Sequence, residues 1–351
     1  MAATSFSSPT GVIANSGSLT EAVNALNIMY HKELEDYMSK YSVMRELFNV
    51  QYEGPNKGAT FNVVESWTGS GIARVTPEDD DYWAGMMSNG YGKTLTVRQR
   101  TYSLKMTWFL MYHNKYPEQE SKMVRDAARA TWERFEFDLG AFFTYPTSTS
   151  YTDIDGYTVD ISSGDGVAPA SASHTLTNSS STYRNIVANN PQLSQGALEL
   201  AQNLGTQTLL DNNGTGVIRE YDTLVVCNDA TTFNVAQQIV KSLAPSTAPN
   251  GNVFNPFQGI YRVLRTYFID KTFTVGDPNG SLTFDSTKAK QWMLFDSKNS
   301  GLYVIVTQWP EIIPPVIGPY NRSKTWMSSA TYEPGLADPR CFALSLGTGA
   351  A

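Results

Sequence analysis

Three histidines, His31, His113 and His174, are the whole supply of imidazole in 351 residues. His174 lies in GDGVAPASASHT, Gly164 to Thr175, together with Asp165, Ser171 and Ser173. Such a set could carry acyl transfer, with the imidazole taking a serine proton and the carboxylate orienting the ring. The spacing speaks against it. A nucleophile elbow places G-x-S-x-G between a strand and a helix, and APASASH lacks those glycines. Ser173 and His174 are adjacent, so in an extended segment their side chains point to opposite faces. The stretch reads as a structural loop whose histidine makes a local hydrogen bond, within the chain or to a neighbour. A hydrolase using Ser173 or Asp165 with His174 is the rival reading.

Metal chemistry is poorly served. DNNGTGVIREYD sets Asp211, Asn213, Thr215 and Gly216 at calcium-loop positions. Its twelfth residue is Asp222, where such loops use a bidentate Glu, and a helix and a strand flank it instead of two helices. A tight turn is expected. EDDD, Glu78 to Asp81, reads as a solvated acidic loop. No HExxH, no P-loop and no G-x-G-x-x-G opening a helix occurs. Cys227 and Cys341 form no CxxC pair and cannot make a disulfide framework. No metal, no cofactor and no enzymatic activity is expected.

Composition points elsewhere. Charged residues make up 17% of the chain, against a surface norm of roughly 25–35% for a soluble monomer. Aromatics reach 12%, with 19 Tyr and 7 Trp. A composition poor in charge and rich in Tyr and Trp suits either extensive partner contact or a large core. The net charge of -7 and the absence of basic runs argue against gripping nucleic acid. The amino terminus has no basic or long apolar segment, and no run of 18 apolar residues exists, so neither a secretory signal nor a membrane span is expected.

The elements that would position these residues are partly legible. SLTE at Ser18 to Glu21 reads as a capping box. Leu19, Ala22, Leu26, Tyr30, Leu34, Tyr37, Tyr41, Met44 and Phe48 follow at helical spacing, giving a long helix, intact or broken once. Strands are expected at Thr60–Glu65 and Thr94–Gln99, joined by an excursion carrying Trp67, Arg74, Tyr82, Trp83 and Tyr91. A second helix spans Glu118–Phe143. Val124, Ala128, Trp132, Phe135, Leu139 and Phe142 share its apolar face, with Arg125, Arg129, Glu133 and Glu136 opposite. Helices at Leu193–Leu204, with Ser194 as cap, and at about Ala230–Ser242 flank a buried strand in YDTLVVC. The remainder is β-rich. The order gives an α+β fold.

Gly164 to Val226 resembles the major head subunits of tailed bacteriophages, most of all the Mu-like type. The matching order is DGVAPASASHTL, LSQGALELAQ, DNNGTG and YDTLVV, continued by NVF, WMLFD and ATYEPGLADPRCF. Thr175 stands where the family often has proline, and the first 110 residues match in layout only. The resemblance implies the Hong Kong 97-type capsid fold. Residues 1–50 would form the amino-terminal arm and its helix, and 51–102 the extended β-hairpin loop. Residues 103–220 would form the peripheral domain with its spine helix, 221–325 the axial domain, and 326–351 a return to the peripheral domain.

The resemblance further implies a major capsid protein that self-assembles through hexamers and pentamers into an icosahedral shell around double-stranded DNA, without sequence-specific binding. Portal, scaffolding and decoration proteins are the implied partners, with no membrane. The place is the virion capsid, made in the host cytoplasm. Any scaffold is expected to be separate or already removed. Some family members crosslink a lysine to a neighbour's asparagine, and Lys57 and Lys93 flank the loop here. The expected inter-subunit contacts are Leu26, Tyr30, Tyr37, Trp67, Arg74, Tyr82, Trp83 and Tyr91. An encapsulin-type nanocompartment shell is the rival with the same fold.

Overall fold

The apolar stripe of the amino-terminal segment folds as α1, Ser18–Tyr41, then breaks once at Ser42 and Val43. It resumes as a 3-10 turn, Met44–Leu47, that buries Met44 and Leu47. The computed structural model describes residues 18–54, 57–64, 75–82, 90–109, 119–242, 255–277, 280–318 and 320–349. The side chains of Ser18 to Leu26 lie outside the described residues, and with them the expected capping box.

β1, Asn49–Tyr52, leads to a hairpin of β2, Thr60–Val64, and β3, Gly92–Thr96. β4, Arg98–Met106, follows a break at Val97, so the strand expected at Thr94–Gln99 is divided between two sheets. α2, Gln119–Thr144, is the second expected helix. Short pairs follow: β5, Ser150–Thr152, with β6, Thr158–Asp160, and β7, His174–Thr175, with β8, Thr182–Tyr183. α3 is Gln195–Asn203, where Ser194 Oγ accepts from the Ala197 amide as the expected cap. β9, Thr223–Val226, precedes α4, Ala230–Lys241. The rest is strands: β10, Arg262–Arg265; β11, Lys271–Phe273; β12, Leu282–Phe284; β13, Trp292–Phe295; β14, Leu302–Ile317; β15, Lys324–Leu336; and β16, Phe342–Ser345.

Two four-stranded sheets carry the fold, in the orders β1-β14-β15-β4 and β10-β9-β13-β16. α2 lies on the first. Phe135 meets Tyr332 of β15 edge-on at 4.9 Å, and Trp132 stacks on Tyr37 of α1 at 5.9 Å. In the second sheet β9, β13 and β16 are buried along their whole length because both faces are covered, whereas the edge strand β10 keeps Arg at both ends. Alternate side chains enter different cores, as a period of two requires. Leu224, Val226, Trp292 and Leu294 pack with α3 and α4. Val225, Met293 and Phe295 pack with Phe142 and Phe143 of α2.

One expected surface residue is inside. Glu136 was placed on the polar face of the second helix, yet it is 1% exposed. The chain crosses over it between α1 and the 3-10 turn. There Ser42 Oγ donates to Glu136 Oε1 at 2.5 Å and the Met44 amide to Oε2 at 3.1 Å. Its helical neighbours Arg125, Arg129 and Glu133 keep substantial exposure, as expected.

Candidate functional site

The GDGVAPASASHT stretch is a knot tied by one carboxylate. Asp165 Oδ1 accepts from Ser163 Oγ and from the Val167 amide at 3.1 Å. Its Oδ2 meets His174 Nδ1 at 2.9 Å and accepts from the Thr175 amide at 3.1 Å. The other ring nitrogen, Nε2, lies 3.0 Å from Asn185 Oδ1. Asn185 turns its amide nitrogen to Pro169 O and Pro339 O, at 2.8 and 3.0 Å, which leaves Oδ1 as the acceptor. Burial pushes the Asp165 carboxyl up, and the His174 ring together with Ser163 and Val167 outweighs it, so the group titrates below its ordinary value.

This geometry speaks against a Ser173–His174 nucleophile–base pair. His174 is fully buried, Ser173 is exposed, and both ring nitrogens already face oxygen partners. His174 makes its bonds inside its own chain, which settles the alternative that sequence left open. Gly164 has a close-approach role: a Cβ there would collide with Ala337 O and with Tyr91 Cβ. His174→Ala is expected to cost about 2–4 kcal/mol of stability, through a cavity and unpaired polar groups at Asp165 and Asn185. Urea unfolding reads this directly. Unchanged stability accompanied by loss of a measurable hydrolytic activity would restore the catalytic reading.

The remaining sequence candidates also resolve as structure. Asp211 Oδ1 accepts from the amides of Asn213 and Thr215, at 2.9 and 2.8 Å, and Leu210 bridges Gly216, so the supposed calcium loop is a tight turn. Among the described residues no group of three or more His, Cys, Asp or Glu is placed to hold a metal. Lys93 is buried beside Asp160 at 3.2 Å and donates to Ser162 O, so it serves its own chain. Burial lowers its pKa, opposed by Asp160. Lys57 is exposed and pairs with Glu53 at 2.6 Å. Cys227 is buried, which pushes its thiol up to about 11, and Cys341 is buried too.

A buried charge cluster missed by sequence joins α2 to the first sheet. Asp138 accepts from Arg100 Nε at 3.1 Å, from Arg134 Nε at 2.9 Å and from the Tyr332 hydroxyl at 2.9 Å. Arg100 also reaches Glu333 at 3.0 Å, and Arg134 reaches Asp153 at 2.6 Å. Burial alone would raise the Asp138 pKa, but Arg134 and Arg100 hold it below its ordinary value. Only the alternation of Arg98 and Arg100 along β4, which pair with Tyr332 and Ala330 of β15 one and three residues before Glu333, hinted at it.

The expected contact residues divide four ways. Tyr30 is fully buried, with its hydroxyl 2.6 Å from Ser328 Oγ, and Tyr91 is buried with its hydroxyl donating to Thr175 O at 2.5 Å. Neither has surface to give a neighbour, because each ring fills a core of its own chain. Tyr37 is half-buried against Trp132. Tyr82 is 92% exposed. Leu26, Trp67, Arg74 and Trp83 lie outside the described side chains, as does His113. An open cleft of about 920 Å³ runs beside β14, with His31, Tyr52, Trp309 and Glu311 on its walls. Among the described residues no ion pair joins His31 to Glu311 in it.

No family model matches the chain, and no curated protein matches it. Solved structures match in fold. A phage-related protein from Bordetella bronchiseptica RB50 superposes with a TM-score of 0.51 at 11% identity, over 92% of this chain and 96% of that one. The capsid of Cyanophage P-SCSP1u superposes at 0.50 with 11% identity, over 88% of each chain. A Gordonia phage Cozz chain superposes at 0.50 with 11% identity, over 89% of this chain and 87% of that one. At such identities the likeness is one of fold, and it spans nearly the whole chain.

Proposed function

We propose that this chain, which has the fold of phage capsid proteins, is the major subunit of an icosahedral phage head. The observation that carries the reading is the near-complete coverage of a cyanophage capsid chain, 88% of each, by a fold with two sheets and a long helix. The Mu-like type is proposed within that fold, on the ordered matches between Gly164 and Val226. The chain acts by burying surface against copies of itself, as obligate assemblies do over roughly 2,000–5,000 Å² per interface. It carries no catalysis. Its net charge of -7 suits a wall that encloses double-stranded DNA without gripping it. Portal, scaffolding and decoration proteins are its proposed partners and the virion its place.

The domain division follows the sheets. α2 with β1-β14-β15-β4 makes the peripheral unit, and β10-β9-β13-β16 with α3 and α4 makes the axial unit. On this proposal β14, which pairs with β1 and β15, goes with the peripheral unit. The β2–β3 hairpin is the proposed base of the extended loop, α1 is the proposed helix of the amino-terminal segment, and the proposed arm ahead of it lies outside the described residues.

Sedimentation velocity of the purified chain tests this reading. A discrete species far larger than a hexamer is expected as concentration rises. A single species of 38.7 kDa at every concentration would overturn it.

A further inference from the structure

The chain crosses between the two sheets at residues 296–301, from β13 to β14, and again at 337–341, from β15 to β16. These crossings lie against each other. The Asp296 amide donates to Cys341 O at 2.8 Å and the Ala337 amide to Gly301 O at 2.9 Å. A Cβ at Gly301 would collide with the Asp338 carbonyl. A third segment reaches the same place. Arg219 and Tyr221 lie just ahead of β9, where the Asp222 amide donates to Phe295 O at 3.0 Å.

Arg219 faces one carboxylate from each crossing and closes on neither. Its Nη1 stands 3.6 Å from Asp296 Oδ2 and its Nη2 3.6 Å from Asp338 Oδ2, beyond the reach of a direct N–H···O bond. Asp338 Oδ2 is also 3.4 Å from Arg340 Nη1. One buried oxygen thus serves two guanidinium groups at long range. Arg219 Nε, Arg340 Nε and the Tyr221 hydroxyl are buried and make no hydrogen bond among the described residues. Tyr221, Arg340, Asp296 and Asp338 are each at most 5% exposed. Burial raises the Tyr221 pKa, and Cys341, Arg219, Asp296 and Asp338 act on it in turn, which sets the hydroxyl among these groups.

Buried N–H and O–H groups in folded proteins nearly always have a partner. Charged groups held beyond a direct bond are commonly joined by water. Water brings two lone pairs for the donors and two protons for the carboxylates, and a buried water makes about three such bonds. An anion fits less well. Asp296 and Asp338 already balance the two guanidinium charges, so an added anion would leave net negative charge buried. A cation would face both guanidinium groups. We propose that this joint is a built site for internal water, which accepts from Arg219 Nε and the Tyr221 hydroxyl and donates to Asp338 Oδ2. Arg219 then ties the two crossings through water and not through direct ion pairs. The site belongs to the folded chain, whatever that chain assembles into.

A density map of the full chain that resolves ordered water tests the site. A peak is expected about 2.7–3.2 Å from both Arg219 Nε and the Tyr221 hydroxyl. Tyr221→Phe removes one donor, and the peak is expected to weaken by about twofold or more against the other buried waters of the same map. Diffraction data from crystals soaked in bromide are expected to show no anomalous peak there. Arg219 Nε bonded directly to a carboxylate with no peak beside it, an unchanged peak in the Tyr221→Phe chain, or bromide at the site would each overturn the water site. The first and third of these are read on the wild-type chain, so the test holds even where the variant misfolds.

Discussion

Asp138→Ala is expected to lower stability by about 3–5 kcal/mol, the cost of removing one partner from a buried ion cluster. The carboxylate stands between Arg100 of β4 and Arg134 of α2 and also receives the Tyr332 hydroxyl. Truncation leaves two nearly buried guanidinium groups sharing Glu333 and Asp153. It also strips Tyr332, itself 1% exposed, of its acceptor. Asp138→Asn keeps the shape and one acceptor and is expected to cost less. Urea unfolding of the unassembled chain measures both. A loss below about 1 kcal/mol for the alanine variant would mean that the cluster contributes little beyond its packing.

Glu136 carries the second large effect, and it depends on pH. Burial pushes its carboxyl up to about 7, against the donors Ser42, Met44 and Arg45. The folded state therefore holds this proton more tightly than the unfolded state does. Stability contributed by the protonated group is complete below the ordinary value of 4.5 and is lost as pH rises through about 7. The fall approaches about 3 kcal/mol by pH 8. Glu136→Gln keeps the acceptor to Ser42 or Met44 and cannot ionise, so its stability is expected to stay flat over that range and to exceed wild type at pH 8. Unfolding curves at pH 5, 6.5 and 8 decide it. Parallel slopes for the two proteins would place the titration elsewhere.

The sequence was most informative where one period dominated. Tyr30, Leu34 and Tyr37 of the first stripe and Val124 to Phe142 of the second announced their helices because their apolar faces meet one core. Ser194 announced a helix start because a cap is a local bond. Glu136 misled because periodicity sees the helix and not the strand of chain laid across it. The Asp138 cluster was hidden because its members come from β4, α2 and β15, which only pairing brings together. The His174 loop was readable as non-catalytic from its spacing. Its partner Asn185 was not readable, because a buried side-chain bond eleven residues away leaves no pattern. Tyr30 and Tyr91 drew attention as rings that needed burial, and both found it in their own chain.

Electron cryo-microscopy of the purified, concentrated chain tests the central claim most directly. The account predicts closed particles with icosahedral symmetry, in which clusters of five and six copies each contain the two sheets and the long α2 helix described here. Concentrated chain that images only as single folded monomers would contradict it.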